Sequence, residues 1–186
     1  MKTKLLLVAL FVALTTMGPD CINDPLIIAV NLDPVTGCWH VNPGDGLFNS
    51  TAGPYNVADF IDPSYRDKIE KLRIRDIIVR VTPGFPAGNV SGDGYFGFDT
   101  PTANVLLLHF SGPYSSFANG GVSLLNPGGL ITYDPAGLAT LIAAISNVNN
   151  LPRTVVLRGV GGGPPVTPPS FDVCCEIYFQ ADANAQ

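Results

Sequence analysis

Residues 171–181 read FDVCCEIYFQA. Phe171, Val173, Cys175, Ile177, Phe179 and Ala181 fall on one side of an extended chain, and Asp172, Cys174, Glu176, Tyr178 and Gln180 on the other. A period of two with one apolar face marks a half-buried β-strand, with its other face toward water. The strand also carries two adjacent cysteines, so one thiol points to each face.

Working outward, the same grammar recurs. Residues 25–32 (PLIIAVNL) read as a first strand. The run 33–37 (DPVTG) reads as a turn, because proline presets its dihedral and glycine tolerates the left-handed region. Residues 38–41 (CWHV) resume as a strand, and 42–46 (NPGDG) form a second turn. Residues 47–58 carry little pattern. Asp62-Pro63 opens a predicted helix over about 63–73, with Tyr65, Ile69 and Leu72 on one stripe. A strand follows at 76–82 (DIIVRVT), and the apolar phase shifts near Arg75, as at a β-bulge.

Residues 84–94 read as a loop and 95–98 as a short strand. Residues 104–110 (NVLLLHF) are apolar on both faces, as in a central strand. A loop covers 111–121, and short strands are expected at 122–125 and 130–133. Asp134-Pro135 opens a second helix over about 135–148. Leu138, Leu141, Ile142, Ile145 and Val148 form its buried stripe, opposite an uncharged face of Ala136, Thr140, Ala143 and Asn147. Residues 153–158 (RTVVLR) read as a strand. The segment 159–170 (GVGGGPPVTPPS) is an inter-strand loop, not a phosphate loop, because two prolines stand where the helix should begin.

About eight strands and two helical crossovers predict a mainly β, single-domain antiparallel β-sandwich with jelly-roll or Ig-like layers. The alternative is a closed β-barrel, which has the same one-face alternation.

The first residues bear on compartment. Lys2 and Lys4 precede an apolar run at 5–17, too short to span a bilayer and shaped like the hydrophobic part of a signal peptide. Residues 1–20 are therefore expected to be a signal peptide cut at about 15–20, leaving 21–186 as the domain. Cys21 raises the alternative of lipidation, although Asp20 fits that processing poorly. The expected location is secreted, periplasmic or at the cell surface, with no transmembrane span in the mature chain.

Composition narrows the function classes. Without Lys2 and Lys4, the basic count falls from 10 to 8 against 15 acids, a net charge of −7. An acidic chain without a basic cluster lacks counter-charge for phosphates, so no nucleic-acid partner is expected. Charged residues make up only 13%, about half the usual share of roughly 25%. From 100 to 152 the one formal charge is Asp134. Such a surface is either the Ser-, Asn-, Thr- and Gly-rich exterior of an exported protein or one that packs against copies of itself or an envelope protein, since charge is depleted at interface cores.

Cys21, Cys38, Cys174 and Cys175 form an even set, which in an exported chain favours disulfides. Three pairings are open, and a bridge between neighbours Cys174 and Cys175 is disfavoured by its geometry. Cys38, His40, Cys174 and Cys175 would be the ligands of a zinc site, at a spacing that matches no standard finger. Asp45, Asp93 and Asp99 lie near glycines as calcium candidates, without a full ligand set. Asn49 and Asn89 fit the N-glycosylation pattern. Trp39, Tyr55, Tyr95, Phe96, Phe98, Tyr114 and Phe117 could stack on sugars or close the ends of the core.

No G-x-S-x-G serine occurs, and Glu70 and Glu176, the two glutamates, are not placed as a catalytic pair. No cofactor and no catalytic residue is assigned. His40 and His109 sit in strand patterns. The reading is an exported non-enzymatic protein with a structural or association role at the cell envelope, in a matrix or in an extracellular assembly. The alternatives are a secreted carbohydrate- or small-apolar-ligand-binding module and, behind it, a secreted hydrolase without a recognisable motif.

Overall fold

Among the described residues, ten strands arrange themselves in two antiparallel sheets. The computed structural model describes residues 27–41, 46–82, 88–118, 120–163 and 171–184. The expected signal peptide, its cut at 15–20, Cys21 and Asp45 lie outside the described residues. The strands are β1 (Ile27–Asn31), β2 (Val35–His40), β3 (Leu47–Asn56), β4 (Ile69–Val81), β5 (Asn89–Phe98), β6 (Val105–Pro113), β7 (Val122–Ser123), β8 (Ile131–Tyr133), β9 (Thr154–Gly162) and β10 (Asp172–Asn184). Among the described residues two α-helices join them, α1 (Tyr114–Ala118) and α2 (Pro135–Ser146).

The first sheet runs β1-β10-β4-β7, with β2 also on β10; the second runs β3-β9-β5-β6-β8. β1 and β2 share one side of β10, pairing with its two halves in turn. Counting them as one interrupted strand and setting β8 aside, the chain alternates between sheets at nearly every connection. That order is the jelly roll, two Greek keys folded face to face, so the Ig-like branch of the expectation gives way. The sheets stay separate, and no closed barrel forms among the described residues.

The core lies between the sheets. Trp39, Ile77, Val79, Val81, Val173 and Ile177 come from one side, and Phe48, Phe96, Leu108, Phe110 and Leu157 from the other; all are buried. Trp39, Phe48, Phe110 and Phe117 form a line of neighbouring rings, with centroids 6.5, 6.3 and 6.0 Å apart. Inward residues of β10 behave as the alternation requires. Its outer face departs from expectation: Cys174 and Glu176 are buried there too, Cys174 bonded to Cys38 and Glu176 held between the Arg80 guanidinium and the Tyr178 hydroxyl.

One element is corrected outright. The helix expected over 63–73 is absent. A 3-10 turn covers Arg66–Lys68, and β4 begins at Ile69. The Asp62 carboxylate accepts from the N–H and hydroxyl of Ser64, at 2.8 and 2.6 Å, closing a local turn rather than capping a helix. From there Lys71, Arg73 and Arg75 alternate with Leu72 and Ile74, a strand period. The bulge expected near Arg75 is present, as a register shift between the Tyr178 and Phe179 pairings. β3, β5 and β9 run longer than their sequence pattern indicates, and α1 falls in an expected loop.

Candidate functional site

The face that the charge-poor stretch builds begins at α2. The Asp134 carboxylate accepts from the Gly137 N–H at 2.7 Å, and Pro135 occupies the first turn. Gly137 lies against the Leu106 carbonyl where no side chain fits, so the helix sits tightly on β6. Leu141 and Ile145 then point into the core. Ile142, expected in the same buried stripe, is instead 47% exposed.

Across from α2 lies the turn after β7. Ser123 donates its hydroxyl proton to the Asp76 carboxylate, whose oxygens lie 2.9 and 2.7 Å away, while the Leu125 N–H donates back to the Ser123 hydroxyl oxygen at 3.0 Å. This anchor leaves Leu125 76% exposed. Tyr133, the last residue of β8, is 50% exposed. Three of the five exposed large apolar side chains among the described residues therefore belong to the stretch that carries one charge.

Between α2, this turn and the outer part of β4 runs a groove of about 320 Å³. Leu124, Leu125, Leu138 and Ile142 line its apolar wall, and Lys71, Arg73 and Arg75 its rim on β4. Arg73 is paired with Asp182. Lys71 and Arg75 are exposed and have no charged partner among the described residues. Six of the ten cations fall between Arg66 and Arg80, a local concentration that the overall acidity conceals.

The other candidates resolve differently. Cys38 and Cys174 form a disulfide between directly opposed positions of β2 and β10. This consumes two of the four ligands imagined for zinc. Cys175 points inward as a buried free thiol, its pKa pushed up to about 12 by burial first and the Glu176 charge second. His40 contacts Asp172 at 2.8 Å on one sheet, and His109 contacts Asp93 at 2.5 Å on the other. Asp93 also accepts from the Tyr95 hydroxyl at 3.3 Å. Asp99 accepts from the N–H groups of Arg153 and Thr154, at 2.8 and 2.9 Å. Among the described residues, no three His, Cys, Asp or Glu side chains gather as a metal site.

Asn49 and Asn89 are both exposed, and the Asn49 side-chain oxygen accepts from Arg158 Nε at 3.2 Å. Of the aromatic candidates, Trp39, Phe96, Tyr114 and Phe117 are buried in the core rather than offered to sugars. Tyr95 is half-buried under the Arg158 guanidinium, 5.6 Å from its ring centre. The apolar interior beside Phe60, Phe96 and Phe179 leaves only about 30 Å³, room for about one water.

The strand order makes this a jelly-roll β-sandwich with an apolar, cation-rimmed groove beside β4. No protein-family model matches the chain, and no curated protein matches it either. Solved structures with a similar course include turnip yellow mosaic virus, at 12% identity and TM-score 0.41, covering 88% of this chain and 96% of that one. Desmodium yellow mottle tymovirus follows at 12% and 0.40, covering 88% and 91%. Mud crab tombus-like virus stands at 13% and 0.35, covering 87% and 90%. Likenesses this distant carry no functional information, and the fold class rests on the strand order itself.

Among the described residues no helix is long and apolar enough to cross a membrane.

Proposed function

We propose that this protein is an exported, non-enzymatic structural subunit that works by associating with copies of itself, at the cell envelope, in a matrix or in an extracellular assembly. The observation that carries this reading is the exposure of Leu125, Tyr133 and Ile142 on the charge-poor stretch. Such side chains gain from leaving water, at about 25 cal/mol per Å² of apolar surface buried. A surface poor in charge pays little desolvation on pairing. Export is supported by the basic start and apolar run at 5–17, and by the Cys38–Cys174 bridge, which suits an oxidising compartment.

The test is light scattering over a concentration series of the mature chain. Association is expected, and Leu125→Asp combined with Ile142→Asp should weaken it at least tenfold while melting stays cooperative. A strict monomer at high concentration would overturn the reading. The alternative of a module binding a sugar or a small apolar molecule gains less support, since most aromatic candidates are buried and the interior holds about one water.

A further inference from the structure

Among the described residues, one edge of β4 has no paired strand over residues 69–76. β7 pairs only with Ile78 and Val79, and the Leu124 N–H donates to the Ile77 carbonyl at 2.8 Å. On the other side of Ile77 from these, residues 69–76 are paired toward β10 alone. The register identifies the open groups. The Leu32 N–H donates to the Phe179 carbonyl, so Phe179 turns its backbone groups away from β4. Phe179 is level with Ile74, and Ala181 with Leu72. Alternate residues of an antiparallel strand hydrogen-bond to opposite edges. The N–H and C=O of Leu72 and Ile74 therefore face the open side, directly into the groove.

We propose that this edge accepts an added β-strand, and that the strand is the segment around Asp20 and Asp24 of a second copy of the chain. The proposal deepens the association reading and rests on it. Strand addition supplies main-chain hydrogen bonds, and side chains at the edge supply selectivity. Here selectivity is electrostatic. Lys71 and Arg75 stand four residues apart on the outward side with no charged partner among the described residues, while Arg73 between them is occupied by Asp182. Asp20 and Asp24 have the same spacing, and strand residues four apart share a face. An antiparallel register sets Asp24 opposite Lys71 and Asp20 opposite Arg75.

Two other occupants are excluded on physical grounds. Pairing of two β4 edges about a two-fold axis at Arg73 would oppose Lys71 to Arg75 and Arg73 to itself, and like charges directly opposed are destabilising. The chain's own segment is out of reach. Asp24 precedes Ile27 by three residues, which span at most about 11 Å. The added strand would lie three strand spacings from β1, about 14 Å away.

The experiment uses the chain cut after Thr15, the early end of the expected range, which retains Asp20, with light scattering across concentration and thermal melts to confirm folding. Asp20→Lys with Asp24→Lys, and separately Lys71→Asp with Arg75→Asp, should each weaken association at least tenfold. Combining all four should restore it. Ile74→Pro removes one open-edge N–H without touching the β10 ladder, and should also weaken association. Charge variants that associate like the wild type, or a combination that fails to recover, would overturn this pairing while leaving self-association standing. A monomeric wild type would overturn both.

Discussion

Gly159 sits where Trp39 crosses from the opposite sheet, and a Cβ there would collide with atoms of the indole ring. Gly161, two residues on, is closed off in the same way by Phe48 and by the backbone of β5. The glycine run is thus a landing surface for rings. Gly159→Ala is expected to lower stability by about 1–3 kcal/mol through overpacking, read as a drop in the urea midpoint. Cys175 allows a second prediction at this scale. Its thiol ordinarily titrates at 9.0 and is held up to about 12 in the fold. Below about pH 9 both states keep the proton, so this group's contribution is fully present. Between about 9 and 12 the unfolded chain releases the proton first, and stability falls as pH rises. Cys175→Ala should flatten that part of the stability–pH curve, and the native thiol should resist labelling until the chain unfolds.

At the scale of elements, α2 depends on its cap. Asp134→Ala removes the acceptor for the Gly137 N–H and should cost about 1 kcal/mol. Because α2 is one wall of the groove, the same variant should weaken association beyond what its loss of stability explains, measured by light scattering well below its melting temperature. α2 was legible in the sequence because a twelve-residue stripe with a cap permits one period only. The stretch before β4 was not. Tyr65, Ile69 and Leu72 satisfy a helical spacing, while Leu72 and Ile74 between cations satisfy a strand spacing, and pairing with β10 decides between them. β3 was illegible for another reason. It is an edge strand in which Phe48 alone is fully buried, held by its ladder to β9. The glycines of β5 and β9 imitate loops, since the space their side chains would take is filled by rings from facing strands. Ile142 was misplaced because the stripe is wider than the sheet beneath it. The groove itself depends on the meeting of β4, α2 and the turn after β7, which no local pattern reports.

For the whole molecule, the alternation of the final strand was enough to place it in a core, but not to place it in the middle of a sheet. β10 lies between the chain's first strands and β4, so the sandwich closes only when the C-terminal strand has inserted between elements made much earlier. The disulfide joins these distant parts, with Cys38 and Cys174 separated by 136 residues. A bridge over so long a loop acts mainly on the unfolded chain, whose ends it holds together. In the chain-entropy model, that restriction is worth about 4–5 kcal/mol. The double variant Cys38→Ser with Cys174→Ser is therefore expected to lose about that much stability in urea denaturation while keeping its β-rich circular dichroism, because the β2–β10 ladder supplies the register independently of the bridge. Reduction of the wild type should give the same loss. A double variant as stable as the wild type would mean that the unfolded chain already holds β2 near β10. Collapse of the ladder would mean that the bridge positions the strand as well as tethering it.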